Sequence, residues 1–360
     1  MSPSLRFPEF TGEWEKCKIE DITDAVSSGK SKNHFSNGEY NLYGSTGIIG
    51  RTDKALYDGK LVLVARVGAN AGFLQIINEP CGITDNTLIL KPKGIDAFYL
   101  YYFLQHFNLN RLIFGSGQPL ITGGMLKKVK VSLGTISEQS KIVKFLSLLD
   151  ERIATQVRLL EDLKKFKCAI VEKLYSEIQG KEYSYRQLFE IINERNSRLE
   201  YSNVLSASQE KGMVNREDLN LDIKFELSNI NTYKIVREGD YVIHLRSFQG
   251  GFAFSNMVGV CSPAYTIMRP KKLLEYGYLS YYFTSRKFIK SLIIVTYGIR
   301  DGRSINVDEW LDMKNIIPSK EQQQHILRTI KGFENKIEVE EMYASCLSKQ
   351  KQYLLRQMFI

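Results

Sequence analysis

The sequence predicts an α+β fold built as an internal repeat: two mostly β domains with small helices, each followed by one long helix. Three observations carry this. The chain has 360 residues, too many for one ordinary core and suited to two domains with connectors. Residues of the first half return in order in the second, and two segments hold an apolar period of 3.5 over more than thirty residues. The composition, 43% apolar and 25% charged with only eight prolines, is that of a folded chain.

The repeat reads in three blocks. Trp14, Ile19 and Ile22 have the spacing of Tyr183, Leu188 and Ile191, an offset of 169 residues (14 to 183). Gly59, Val62, Arg66 and Cys81 recur as Gly239, Val242, Arg246 and Cys261, and Tyr101-Tyr102-Phe103 as Tyr281-Tyr282-Phe283, an offset of 180 (59 to 239). Ile142, Ile153, Leu163 and Lys167 return as Ile326, Ile337, Leu347 and Lys351, an offset of 184 (142 to 326). The order is therefore domain, helix, domain, helix, with boundaries at 1–136, 137–180, 181–318 and 319–360.

Within each domain, GKLVLVARVGANAGF from Gly59 and GDYVIHLRSFQGGFAF from Gly239 read as a β-branched strand entering a glycine-rich turn. FYLYYFLQ from Phe98 and YLSYYFTS from Tyr278 read as short buried helices. Cys81 and Cys261, at equivalent places, read as small core residues; the five cysteines show no C-x-x-C spacing, so neither a disulfide framework nor a zinc site is indicated.

Alternating steps of four and three from Ile142 reach Leu146, Leu149, Ile153, Gln156, Leu160, Leu163, Lys167, Ile170 and Leu174. The same steps from Ile326 reach Ile330, Phe333, Ile337, Glu340, Ala344, Leu347, Lys351, Leu354 and Met358. Eight of ten positions are apolar in each series, and the polar exceptions fall at the same two steps, Gln156 with Glu340 and Lys167 with Lys351. Polar positions in a helical seam lower stability but fix register, so the two helices are expected to pack on one another with paired polar layers; the alternative is that these residues face solvent or a partner protein.

The formal charge of +9 has the sign of a partner for phosphate backbones. No segment approaches 18 uninterrupted apolar residues and the N-terminus lacks a leader pattern, so a chain without membrane contact, in a reducing cytoplasm, is expected. Known chemistries find no footing. No two prolines are adjacent, as an amino-methyltransferase's base-gripping motif requires, and no proline precedes an aspartate, as a metal-dependent nuclease motif requires. DAVSSGKS from Asp24 resembles a phosphate-binding loop, but Asp24 stands where the first glycine must be. The histidines His34, His106, His244 and His325 have no ligand-like spacing. No metal, cofactor or catalytic site is therefore expected in the chain, which is read as a non-enzyme.

Base reading needs donors and acceptors on stiff loops: Arg for guanine, Asn or Gln for adenine, Ser or Thr for either. RVGANAG offers Arg66 and Asn70, and RSFQGG offers Arg246, Ser247 and Gln249 at the equivalent place. GSGQPLITGG from Gly115 offers Ser116, Gln118 and Thr122, closing with Lys127 and Lys128 as phosphate contacts. YGIRDGRSIN offers Tyr297, Arg300, Arg303 and Asn306. YGSTGIIGR adds Ser45 and Thr46, and LSASQEKG adds Ser206 and Ser208. Taken singly, each residue has a turn or a solvated side chain as its alternative role.

Together these features resemble the specificity subunits of type I restriction-modification systems over essentially the whole chain. LRFPEFTGEWEKCKIEDI from Leu5 is similar to the opening of such subunits, and ISEQSKIVKFLSLLDERI from Ile136 to the entry into their conserved helix. PSKEQQQHILRTIKGFENKI from Pro318 departs from the pattern, with Gln322 where the first copy has Glu138, and Tyr183 replaces the usual tryptophan. The resemblance implies two target-recognition domains related by a pseudo-two-fold, with the long helices forming an antiparallel coiled coil. It also implies double-stranded DNA as ligand, and as partners two methyltransferase subunits and the restriction subunits, which would carry S-adenosylmethionine, ATP and Mg. A helix from Ile142 to Leu174 would be about 50 Å long at 1.5 Å per residue. A bipartite target follows, with half-sites about one duplex turn apart and a gap of roughly 5 to 8 unread base pairs. A stand-alone DNA-cleaving enzyme with an unrecognised site, or a coiled-coil scaffold, are the rival readings.

Overall fold

The computed structural model describes residues 2–32, 37–113, 119–208, 211–219, 227–244, 251–297 and 304–360, with the side chains at 227–229, 297 and 304 also outside the description. The chain forms two compact units, one of Met1–Arg158 with Glu341–Ile360 and the other of Leu159–Glu340. Each long helix, Ile136–Ser176 and Lys320–Met358, thus contributes to both units.

The first unit opens with strand Glu15–Lys18, antiparallel to Lys130–Leu133. A 3₁₀ turn, Ile19–Ile22, then buries its two isoleucines. A four-stranded antiparallel sheet follows in the order Thr23–Ser28, Thr87–Pro92, Lys60–Ala65, Leu74–Asn78. Lys60–Ala65 is buried from Leu61 onward because both of its faces are covered. Val62 and Val64 join the aromatic cluster of helix Ala97–Phe107, while Leu61 and Leu63 join Cys81 and Ile83 of a second, three-stranded sheet. That period of two is what alternating side chains on a pleated strand require.

The second unit repeats this plan. Strand Lys181–Ser184 pairs with Lys314–Ile317, and a four-stranded sheet runs in the order Phe189–Ile192, Thr266–Pro270, Tyr241–Ile243, Phe252–Phe254. Gly59 and Gly239, each entering the equivalent central strand, have φ of +90° and +88°, a backbone region where a Cβ is strained. Cys81 and Cys261 are both fully buried, and burial pushes both thiols up to about 12. The aromatic segments are helical, Ala97–Phe107 and Tyr278–Tyr282.

Strand ladders and ring packing correct two of the offsets read from sequence. Cys17 faces Val131 and Tyr183 faces Asn315, so Tyr183 occupies the place of Cys17, an offset of 166 (17 to 183), not that of Trp14. Ile19 accordingly corresponds to Tyr185 and Ile22 to Leu188. The position answering to Trp14 is Gly180, where a Cβ would lie 2.2 Å from the carbonyl oxygen of Ile317. The absence of a tryptophan there also accounts for Gln322. In the first unit Glu138 accepts from Trp14 Nε1 at 3.1 Å and from Arg6 Nε and Nη2 at 2.7 and 2.9 Å. A chain with glycine in the tryptophan's place has no such indole N–H to satisfy.

The second correction concerns the aromatic helices. Tyr99 packs on Phe359 and Tyr278 on Tyr175, which are equivalent seam residues at an offset of 184 (175 to 359). Tyr99 therefore answers to Tyr278, and Tyr102 to Tyr281, an offset of 179 (99 to 278) rather than 180. Matching the identical Tyr-Tyr-Phe triplets slips the register by one residue.

All twenty stepped seam positions are buried or half-buried. The helix segments run antiparallel in each unit, as shown by Asp150 with Lys351 and Arg152 with Tyr343 in the first, and by Phe166 with Phe333 and Lys167 with Glu334 in the second. Lys167 and Lys351 do not form a layer with each other. Lys351 pairs with Asp150 at 2.5 Å, and Tyr102 donates to the same carboxylate at 2.9 Å. Lys167 pairs with Glu334 at 2.8 Å, and Tyr281 donates to that carboxylate at 2.8 Å. Like charges cannot share a layer, so each lysine is met by an acid, and a Lys–carboxylate–Tyr group stands in each unit. A buried glutamine recurs too: Gln139 Nε2 donates to Gly134 O at 2.9 Å, and Gln323 Nε2 to Pro318 O at 3.1 Å.

Candidate nucleic-acid interface

In the first unit the structure brings two of the candidate loops together. After strand Lys60–Ala65, Gly68 N–H donates to Pro119 O at 3.1 Å, Ile121 N–H donates to Arg66 O at 2.9 Å, and Val67 bridges Leu120. The loop is further closed by Gly72 N–H to Ala65 O and by Arg66 N–H to Asn86 O, both at 2.9 Å. Gly72, at φ +89°, lies where a Cβ would be 3.2 Å from Leu109 Cβ and 3.3 Å from Ile121 Cδ1. Three segments thus meet at one glycine, which gives the stiffness that base reading needs.

Arg66 is half-buried, and its Nε is buried with no hydrogen-bond partner among the described residues. A buried donor without an acceptor is costly, which sets Arg66 apart from the paired side chains of this loop. Asn70 is exposed at the loop's tip. The Thr122 side chain acts locally, its hydroxyl capping helix Gly123–Lys127 by accepting from Met125 N–H at 3.2 Å. Lys127 and Lys128 end that helix, both exposed. Ser45 and Thr46 form the tip of the hairpin between Tyr40–Gly44 and Gly47–Thr52, which Gln75 Nε2 braces by donating to Gly44 O and Ser45 O at 3.0 Å each. At that hairpin's base Asn41 and Tyr43 donate to Glu79 and hold its carboxyl below the usual range. Ser116 and Gln118 lie outside the described residues.

Sequence reasoning missed a further group. Asn108 ends helix Ala97–Phe107 in the left-handed region at φ +57°, and the 3₁₀ turn Leu109–Leu112 follows. Asn70, Gln105, Asn108 and Asn110 border one groove of about 310 Å³. The available signal was the Asn-Leu-Asn-Arg run after an aromatic helix, since asparagine is among the few non-glycine residues that tolerate this helix-ending conformation.

In the second unit Ser206 and Ser208 lie on strand Leu205–Ser208, facing Val214 and Gly212 of its hairpin partner. Gly212 sits where a Cβ would be 2.4 Å from Phe254 O, which seats that hairpin on the sheet. Tyr297 pairs with Ser304 in a short hairpin. Asn306 caps helix Val307–Asp312, accepting from Glu309 N–H at 3.4 Å and donating to its carboxylate at 2.8 Å. Arg246, Ser247, Gln249, Arg300 and Arg303 lie outside the described residues. Among the described residues no cluster of His, Cys, Asp or Glu could hold a metal ion, and no helix is long and apolar enough to cross a membrane.

A family model described as "Type I restriction modification DNA specificity domain" matches residues 11–165, which span the first sheet, its loops and the entry into the long helix. The second unit repeats the strand order of that domain. The putative MjaX specificity subunit of Methanocaldococcus jannaschii is 23% identical over 296 residues, 75% of this chain and 69% of the relative. The MjaVIII specificity subunit of the same organism is 24% identical over 330 residues, 82% and 77% of the two chains. Over residues 11–165 the chain matches a DNA specificity domain, and over most of its length it is similar to specificity subunits of type I restriction enzymes. Two solved structures share the fold. The S subunit from M. genitalium aligns with a TM-score of 0.58 at 15% identity, covering 100% of this chain and 99% of that one. A chain from a structure on complex assembly and conformational transition of the type I system aligns with a TM-score of 0.62 at 11% identity, covering 96% and 97%. The shared fold covers both units, so the duplicated sheet and the long helices belong to one plan.

Proposed function

We propose that this chain is the DNA-reading subunit of a type I restriction-modification complex, binding duplex at two short half-sites separated by unread base pairs, one half-site per unit. The observation that carries the reading is the duplication: one strand order, entered by the same positive-φ glycine, occurs twice in one chain, and a DNA specificity domain matches the first copy. Two similar reading heads on one chain meet two separate stretches of duplex, whereas a single continuous motif would need only one.

In the first unit the reading groups are Arg66 and Asn70, with Ser45 and Thr46 on the neighbouring hairpin and Lys127 and Lys128 on phosphates. In the second they are Ser206, Ser208, Tyr297 and Asn306, with the sequence candidates of the loops after 244 and 297. The chain itself catalyses nothing in this scheme. Two methyltransferase subunits and the restriction subunits supply the chemistry, with S-adenosylmethionine, ATP and Mg bound to them, in the cytoplasm.

Mapping methylated adenines across a genome, in a host carrying this chain with its methyltransferase partner, tests the reading. The expected result is a bipartite motif with a gap of roughly 5 to 8 base pairs, set by one turn of duplex. A gap-free motif, or the same motif after deletion of this chain, would refute it.

A further inference from the structure

The two units differ sharply in the exposed 3₁₀ turn that each carries before its second candidate loop. In the first unit the 3₁₀ turn Leu109–Leu112 buries Leu109 and exposes Asn110 and Arg111. In the second the 3₁₀ turn Leu292–Val295 buries Leu292 and exposes Ile293 at 74% and Ile294 at 70%. Both turns follow a helix and lead into a segment carrying candidate reading residues. Both begin with a buried leucine, at 2% and 4% exposure, followed by an exposed pair, Asn110 and Arg111 in the first and Ile293 and Ile294 in the second.

Single exposed apolar residues need no explanation. These are two adjacent isoleucines, both largely exposed and set beside exposed cations. The preceding helix, Arg286–Ser291, exposes Lys287 and Lys290, which form no ion pair among the described residues. Lys290 lies three and four residues before the isoleucines, one helical turn away. The turn is also held firmly: Asn306 N–H donates to Val295 O at 2.9 Å, and the Thr296 hydroxyl to Leu292 O at 2.5 Å. An apolar tip on a rigid turn beside unpaired cations matches the one apolar feature of a polyanionic groove, the thymine methyl group.

We propose that Ile293 and Ile294 read thymine in the half-site of the second unit through its C5-methyl, with Lys287 and Lys290 on the adjacent phosphates. The 3₁₀ turn of the first unit reads hydrogen-bonding base edges through Asn110 and Arg111. The inference rests on the DNA-reading role proposed above and names the base type that this turn selects.

The test uses the full chain in complex with its methyltransferase partner and duplexes bearing the methylated motif, with each thymine replaced in turn by uracil, which lacks only the methyl. Wild-type complex is expected to bind about fourfold more weakly at each contacted position, the factor that ~0.8 kcal/mol per buried methyl-sized group gives. A complex with Ile293→Ala and Ile294→Ala should lose that thymine preference, keep its methyltransferase and keep discrimination at the other half-site. Ile293→Val with Ile294→Val should retain part of it. Selective binding with no thymine preference, an unchanged preference in the alanine complex, or a half-site lacking thymine overturns this proposal alone. Loss of the methyltransferase from the alanine complex shows a protein on the turn instead and overturns it too. A wild-type complex that selects no duplex sequence overturns the DNA-reading role itself.

Discussion

Glu334→Ala offers the sharpest test of how the helical seam is held. Glu334 accepts from Lys167 Nζ at 2.8 Å and from Tyr281 Oη at 2.8 Å, and the Lys167 ammonium lies 5.7 Å from the Tyr281 ring centroid. Removing the carboxylate strands one cation and one hydroxyl. Breaking a fully buried pair costs about 3–5 kcal/mol, and losing a hydrogen bond to a charged group about 1.5–3 kcal/mol. Both side chains here keep 27% exposure, so water recovers part of the loss and about 2 kcal/mol is expected. Replacing both ends with apolar residues, Lys167→Met with Glu334→Leu, strands no charge and should come within about 1 kcal/mol of the parent. The assay is urea unfolding followed by Trp310, which is fully buried in the second unit, in a Trp14→Phe background that leaves no other tryptophan. If the paired replacement lost at least as much as Glu334→Ala, the cost would lie in losing the ion pair itself and not in a stranded charge, and the reasoning would fail.

The same group carries a pH signature. Burial works to raise the Glu334 carboxyl, but Lys167 and Tyr281 more than offset it and leave it below its ordinary 4.5. A lowered carboxyl contributes stability that is present above the unfolded value and is lost as pH falls through the folded one. Glu334→Gln should therefore cost stability at neutral pH and make the Trp310 transition less acid-sensitive below about pH 4.5, the ordinary value. An unchanged acid limb would locate the titrating group elsewhere.

Gln323→Leu removes a fully buried amide that donates to Pro318 O and Leu273 O and accepts from Glu275 N–H; a loss of about 2–3 kcal/mol is expected by thermal unfolding. Gln139→Leu should cost less, since the Gln139 Oε1 is buried with no partner among the described residues and its removal relieves that atom. Gly72→Ala pushes a methyl into Leu109 and Ile121 at a positive φ, so the Arg66 loop should shift and discrimination at one half-site fall in competition binding, while the other half-site is read normally. Lys127→Gln with Lys128→Gln should weaken binding to all duplexes alike and reduce the slope of log K against log salt by about 2, at ~0.9 per phosphate contact; a changed motif would make these lysines base readers.

The parts of the fold legible in sequence were those with a period. The stepped positions of both helices are all buried or half-buried as read, because an apolar stripe repeating each 3.5 residues has one way to face a partner. The pairing of Lys167 with Lys351 was not legible, since each meets an acid outside the stripe. Central strand Lys60–Ala65 was legible as a β-branched run before a glycine turn. The two offset errors share a cause. Side-chain likeness matches Trp14 to Tyr183 and the Tyr-Tyr-Phe triplets to each other, whereas register is set by the ladder and by what each ring packs against. Adjacency between distant loops was also beyond the sequence. Nothing in RVGANAG says that it bonds to a segment some fifty residues on, and nothing there points to Asn108 and Asn110, which close the same groove from a helix end.

Comparing the units residue by residue separates what holds the fold from what is free to read. Like residues stand at equivalent buried places: Tyr99 and Tyr278, Gln139 and Gln323. The ion pairs also keep their chemistry, with Asp150 answering to Glu334 and Lys351 to Lys167. Each has a partner that a single change would strand, at a cost of kilocalories. Asn110 and Arg111 against Ile293 and Ile294 obey no such constraint, because the buried leucine beside each pair fixes the turn whatever the exposed residues are. A transplant should therefore be silent in stability and loud in recognition. Ile293→Asn with Ile294→Arg is expected to leave the Trp310 unfolding midpoint within about 0.5 kcal/mol of the parent, the usual range for surface changes, while the methylated motif changes in one half-site only. A variant that unfolds more readily by several kilocalories would mean that the isoleucines support the core, and the division between scaffold and reading surface would have to be drawn elsewhere.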